Sequence, residues 1–381
     1  MEISLFYTKK QRDLIWDAGL KPEMVYFLRG EPIPEEDWNQ VDKTKLDAFP
    51  GLVDILKEIG ETKIVIDPVV DKYVNTIDSL RIKEIVEYVT KSPSWRERPL
   101  IMRLAAKALG SEFADSLIHA AAGVELFEES AILLDDVLDE AEMCVGKETT
   151  WRKYGIKETF IAHGILTSLA RTALLGSCKY GNLTSEKTRE VIKSFEEIYR
   201  GDYIGQYIDI AAEKQIDFSE KDYFEMVSKT PGTQFANALE IVCVLTDNEK
   251  LKGNLGQFGK LFGMAAQLRD DIIDIIGNEE VVYKKLLTDI LRKKKRLPLI
   301  LFLQKVPEHK ELFTVDTPMT EDRLPELLSR MHENGIIENC IPLVKNLTNK
   351  AIVQLEGLPS TYEKRLLTAL ASLLANFEGY E

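Results

Sequence analysis

Between Pro99 and Pro231 the chain carries no proline at all, although seven prolines lie at or before Pro99 and seven at or after Pro231. Proline breaks a helix interior because it lacks a backbone donor and its ring clashes with the preceding turn. A gap this long, rich in Ala, Leu, Glu and Lys, predicts several long consecutive helices. Residues 98–110 (RPLIMRLAAKALG) repeat apolar side chains at helical spacing, and no convincing run alternates as a half-buried strand would. Breaks are expected at Gly146, Gly155, Gly181 with Asn182, and the acidic stretch ending at Asp217. The expected fold class is all-α. Residues 1–70 differ, since Pro22, Pro32, Pro34, Pro50 and Pro68 interrupt short helical pieces. They are read as an N-terminal extension of unknown role, packed on or tethered to a helical body over residues 71–381.

Composition narrows the partners. The net charge of −14 disfavours nucleic acid and anionic membrane surfaces. Cys144, Cys178, Cys243 and Cys340 show neither paired nor metal-ligand spacing, which suits reduced thiols in the cytoplasm. No stretch is long and apolar enough for a transmembrane helix, and the first residues lack the apolar core of a signal peptide. A cytoplasmic protein is expected.

Two copies of the pattern DDxxD carry the chemistry. The first is Asp135, Asp136 and Asp139, and the second is Asp270, Asp271 and Asp274. On a helix the first and third carboxylates of each set share one face, one turn apart, with the second beside them. Three such anions repel one another unless a cation joins them. A solvated acidic turn is the ordinary fate of a charge cluster. Here, however, Leu133, Leu134, Val137 and Leu138 flank the first set, and Leu268, Ile272, Ile273 and Ile275 flank the second. Each triplet therefore belongs to a largely buried helix, where unpaired charge is costly. A hard divalent cation such as Mg²⁺, which binds carboxylates together with phosphate oxygens, is the natural partner. Two such faces opposed would grip a diphosphate.

From about residue 70 onward the chain resembles the trans-isoprenyl diphosphate synthase, or polyprenyl synthetase, family. The paired aspartate motifs carry the likeness, and further landmarks follow in order. Arg96, Arg98 and Pro99 resemble a basic entry motif; Gln206 and Asp209 resemble a central GQxxD element; Lys229 and Thr230 resemble a lysine-threonine step. Gln267 precedes the second motif, Lys284 and Lys294 follow it, and Leu297 with Pro298 closes the pattern. The resemblance implies a helical bundle around a deep apolar cavity, three Mg²⁺ ions bridging the diphosphate, an allylic prenyl diphosphate substrate and a homodimer. It implies that Lys229 and Lys284 act as point charges while the diphosphate leaves, and that the other landmark residues bind substrate.

At the second substrate the pattern departs. The resemblance places the groups that bind isopentenyl diphosphate at Trp95, Arg98, Glu128 and Val145, so three of the four are replaced. Cys144 and Val145 stand where paired arginines are usual, and Arg152, Lys153 or Lys147 are the candidates to compensate. Glu128 has two readings: it repels a second diphosphate, or it forms a structural ion pair with a nearby cation. Trp95 either covers the core or offers a cation an aromatic face. By the same resemblance Ala131 and Ser130 face the cavity and, being small, leave it open down to Phe127, or Phe127 simply packs between helices.

Together these features favour an enzyme that ionises a long allylic diphosphate without extending it, a terpene synthase on the prenyl synthase scaffold. A prenyltransferase, with a non-standard acceptor or as an ordinary chain-elongating synthase, is the alternative. A regulatory subunit of a prenyl synthase is the non-enzymatic one.

Overall fold

The computed structural model describes residues 51–92, 94–144, 147–277, 286–313 and 319–377. The described chain is helical almost throughout. Helix α1 (Leu52–Val74) is followed by α2 (Leu80–Thr90), α3 (Glu97–Ala108) and α4 (Asp115–Leu138), which ends in the first aspartate motif. A hairpin of two-residue strands, Met143–Cys144 and Lys147–Glu148, pairs antiparallel with Cys144 opposite Lys147. Then come α5 (Thr150–Tyr154), α6 (Ile156–Tyr180), α7 (Ser185–Glu213), α8 (Glu220–Lys229), α9 (Pro231–Leu245) and α10 (Lys252–Ile276), which carries the second motif. The remaining helices are α11 (Thr288–Leu291), α12 (Leu297–Lys305), α13 (Leu324–Glu333), α14 (Ile336–Gln354) and α15 (Tyr362–Leu374).

Helix α1 runs through residue 70 without a break. Ile55, Ile59, Ile66, Val70 and Val74 recur at helical spacing and are buried in the common core. On the opposite face Pro68 and Ile64 are exposed, so water can satisfy the carbonyl that a proline leaves without a donor. Residues 52–70 thus pack as part of the helical body, and the division expected near residue 70 falls inside a helix. Residues 1–50 of the expected extension lie outside the described residues.

Close backbone approach positions the motif helices. A Cβ on Gly123 of α4 would come within 2.9 Å of the Ala170 carbonyl on α6. On α10, a Cβ at Gly259 would meet the Phe235 carbonyl at 2.5 Å, and one at Gly263 the Pro231 carbonyl at 2.7 Å. Glycine is what lets α10 lie directly against α9. Pro231, Pro298 and Pro325 sit in first turns, where a missing N–H costs nothing. Among the described residues no helix is long and apolar enough to cross a membrane.

Candidate active site

Both aspartate triplets sit at the C-terminal ends of their helices. Asp135 and Asp136 occupy the last turn of α4 and Asp139 caps it, while Asp274 lies in the last turn of α10. A helix C-terminus already carries partial negative charge, so acids there need a cation more than acids elsewhere. Asp270, Asp271 and Asp274 are all buried.

Two side chains from the tight turn before α12 answer that need. The Lys294 ammonium lies 2.5 Å from Asp139, 2.7 Å from Asp209 on α7, and 3.1 Å from Glu213. The Arg296 guanidinium lies 2.8 Å from the other Asp209 oxygen, 3.1 Å from Asp289 and 3.8 Å from Asp271. An unbroken ionic chain, Asp139–Lys294–Asp209–Arg296–Asp271, therefore joins the two motifs. Gln206 donates to Asp135 at 2.8 Å, and Gln267 and Tyr223 donate to Asp271 at 2.9 and 2.6 Å.

Even so, the acids remain under strain. Burial pushes Asp136 and Asp271 up to about 7. Burial, with Asp139 beside it, raises Asp135 well above the carboxylate range. Burial works against the charge on Lys294, but Asp209 and Asp139 more than offset it and hold its pKa above the ordinary value. Among the described residues, no three His, Cys, Asp or Glu side chains converge closely enough to hold an ion as they stand. The donors nevertheless suit a hard divalent cation, being carboxylate oxygens whose burial penalises their charge in its absence. Such an ion would take over the charge compensation that the ammonium and guanidinium now provide.

Other expected residues divide. Lys229, half-buried at the end of α8, has no ion-pair partner among the described residues, so its charge is available to a ligand. Thr230 packs its hydroxyl against Gly205, where a Cβ would come within 1.9 Å of it. Lys284 and Val145 lie outside the described residues.

Arg96 is placed differently from a substrate ligand. It is buried in a left-handed backbone turn, and Asp67, Glu125, Glu129 and the Thr90 carbonyl take its guanidinium hydrogens. Arg98 lies 3.0 Å from Glu128, donates to Gln234 at 2.9 Å and stacks 4.8 Å from the Phe235 ring centre. Gln234 in turn donates to Asp202. The structure therefore gives Glu128 the ion-pair reading. Trp95 is 1 % exposed. Ser130 is fully buried, its hydroxyl within 2.9 Å of both His163 and Thr167 on α6. Phe127 packs edge-on against Phe195 and Tyr199 of α7. Ala131 is half-buried.

Beside Asp136 a cleft opens between α2 and the hairpin, lined by Tyr88, Glu129, Cys144, Lys147 and Thr150. Of the three candidate compensating cations, Lys147 lines this cleft. Its ammonium donates to the Tyr88 carbonyl and the Ser92 hydroxyl. Arg152 turns to Glu142, and Lys153 sits 3.9 Å from the Tyr88 ring centre.

Sequence reasoning missed Arg296 and Tyr223. Neither had a usable signal, because each owes its place to contacts between segments far apart in the chain.

A family model described as polyprenyl synthetase matches residues 80–330, the region that holds both motifs and the ionic chain between them. The chain belongs to the polyprenyl synthetase family. It is 27 % identical over 274 residues to the geranylfarnesyl diphosphate synthase of Aeropyrum pernix, covering 71 % of this chain and 86 % of that one. Among solved structures it resembles the geranylgeranyl pyrophosphate synthetase of Pyrococcus horikoshii, with a TM-score of 0.77 at 24 % identity over 85 % of this chain and 99 % of the other. A Caulobacter crescentus polyprenyl synthase, crystallised with calcium and isoprenyl diphosphate, gives 0.74 at 21 % identity over 84 % and 96 %. This polyprenyl synthetase is thus an enzyme, a prenyltransferase on the isoprenoid synthase helical fold.

Proposed function

We propose that this enzyme builds a prenyl diphosphate by ionising an allylic prenyl diphosphate between its two aspartate helices and joining the cation to a second isoprenoid unit. The observation that carries the reading is the ionic chain Asp139–Lys294–Asp209–Arg296–Asp271, which links one acid of each triplet. Asp135, Asp136, Asp139, Asp270, Asp271 and Asp274 would hold Mg²⁺, which as a Lewis acid supplies positive charge to the departing diphosphate. A Caulobacter crescentus polyprenyl synthase of the same fold was crystallised with calcium and isoprenyl diphosphate, which fits a metal-dependent reading.

The chain's own residues supply the rest. Lys229, unpaired among the described residues, takes a diphosphate oxygen. Gln206 and Gln267 orient Asp135 and Asp271 through their amide donors. As the allylic C–O bond breaks, its electron pair leaves with the diphosphate, and fixed cations stabilise that charge without reorganising. The acceptor's double bond then attacks the carbocation, and loss of a proton restores neutrality.

The buried Arg98–Glu128 pair favours a second reading, in which the cation is quenched internally or by water as in a terpene synthase, or is passed to an acceptor without a diphosphate. An arginine already neutralised has less charge to offer a second diphosphate. The relatives named above are prenyl diphosphate synthases, which supports chain elongation instead.

One experiment separates them. Purified protein is incubated with Mg²⁺ and geranyl, farnesyl or geranylgeranyl diphosphate, with and without isopentenyl diphosphate. Longer diphosphates formed only with the co-substrate support elongation. Hydrocarbon or alcohol from the donor alone supports the second reading, and no diphosphate release under any condition overturns both.

Prenyl synthases of this family are commonly homodimeric. The surface that suits a second copy is the one formed by Phe160 and Ile161 of α6 with Ile204 and Tyr207 of α7, all exposed. The His163–Tyr203 contact brings these stretches of the two helices side by side.

A further inference from the structure

The segment that delivers Lys294 and Arg296 to the acids closes a tight turn, in which the Arg296 N–H donates to the Lys294 carbonyl at 2.9 Å and Lys295 stands at the apex. Lys295 turns into a separate pocket of about 120 Å³, lined by Ile216, Phe218, Ser219, Ile300 and Leu303 with Lys310 at its edge. Lys295 is 1 % exposed, yet among the described residues its ammonium hydrogen-bonds only the Lys293 carbonyl, at 3.2 Å. Among the described residues no carboxylate lies within ion-pair distance of it. Glu213 acts on it electrostatically but is already paired with Lys294, and Asp217 at the rim is paired with Lys310 at 2.6 Å. The Ser219 hydroxyl is taken by Asp222 in a capping box.

A buried ammonium without a counter-charge costs free energy, which it recovers by losing its proton or by gaining an anion. Burial, with Lys293 adding to it, pulls Lys295 down to about 8, a state an incoming anion would reverse. The pocket sets the Lys295 amine beside apolar side chains from α12 and the chain after α7, with Asp217, Gln304 and Lys310 completing the lining.

We propose that this pocket is a second anion site, distinct from the aspartate site. It would take a small organic oxyanion whose charge pairs with Lys295 and whose apolar stem lies on Ile216, Phe218, Ile300 and Leu303. Because Lys294 and Arg296 flank Lys295, an occupant also steadies the segment that bridges the two motifs. The site is thus placed to sense an anionic metabolite and report it to the catalytic acids.

The test is calorimetric titration of the full chain with n-butyl phosphate in the presence of a chelator, so that no metal recruits the ligand to the aspartates. One site per chain is expected, with binding weakened at least tenfold in Lys295→Met, retained in Lys295→Arg and unchanged in Lys229→Met. Absence of binding to the native chain overturns the proposal. So does equal binding by Lys295→Met, or loss in Lys229→Met instead, which would place the anion at the catalytic mouth. Should Lys295→Met fail to fold, lysine side-chain NMR of the native chain decides: the Lys295 pKa rises on adding butyl phosphate, and a pKa that stays put overturns the site.

Discussion

Arg98 and Glu128, on the neighbouring helices α3 and α4, pair at 3.0 Å with side chains only 10 % and 12 % exposed. Removing one member of such a pair leaves a buried charge alone and costs about 3–5 kcal/mol, while replacing both with apolar groups is often neutral. Arg98→Met should therefore lower stability in urea unfolding by about that amount, and Arg98→Met with Glu128→Leu should recover most of it. Equal losses in the single and double variants would show that the two charges are not coupled.

Asp202 gives a pH dependence of known sign. Burial pushes its carboxyl up to about 7 from an ordinary 3.8. Between those values the folded chain keeps a proton that the unfolded chain has released. Stability from this group therefore falls as pH rises from about 4 to about 7, then levels off. In metal-free protein, Asp202→Asn should flatten that part of the melting-temperature profile. Identical profiles would mean that Asp202 is ionised throughout.

Loss of either motif should stop the chemistry. Asp135→Ala or Asp270→Ala is expected to lower diphosphate release from the allylic donor by at least about 10²–10³-fold, the cost of removing one preorganised charge contact in a reacting site. Release at native rates would remove the aspartate helices from the mechanism.

Lys229 offers a milder case. A hydrogen bond to a charged group is worth about 1.5–3 kcal/mol, so Lys229→Ala should reduce kcat/KM for the donor roughly 10- to 100-fold. Its half-buried side chain has no ion-pair partner among the described residues, so thermal stability should hardly change. A large fall in melting temperature would mark the lysine as structural.

Phe160→Asp combined with Tyr207→Asp places charge on the apolar face of α6 and α7. Light scattering should find a dimer for the native chain and a monomer for the variant. A dimer in both would move the interface elsewhere.

Much of this was legible in the sequence. The proline-free stretch announced the long helices, and each aspartate triplet lies at the end of a long helix that its apolar neighbours pack into the core. Proline was a poorer guide outside that stretch. Helix α1 passes through Pro68 and α14 through Pro342, because a helix held by its buried face tolerates one lost bond. Of the run Lys293–Arg296 only Lys294 stood out by family resemblance, yet Lys294 and Lys295 are each 1 % exposed. What buries them is tertiary: acids on three helices far apart in the chain converge on Lys294 and Arg296. Residue spacing along one helix carries no information about such partners. Glu128 was ambiguous for the same reason, since its partner lies thirty residues away on another helix.

The contact between α9 and α10 limits how this enzyme can be improved. Replacing glycine by alanine is a standard way to stiffen a helix, worth about 1 kcal/mol per residue. At Gly259 and Gly263 an added methyl would strike main-chain carbonyls that cannot step aside. It would prise α10 from its seat and carry three of the six acids with it. Thermostabilising libraries should leave both positions untouched, because any gain in rigidity there would be taken from alignment of the catalytic wall.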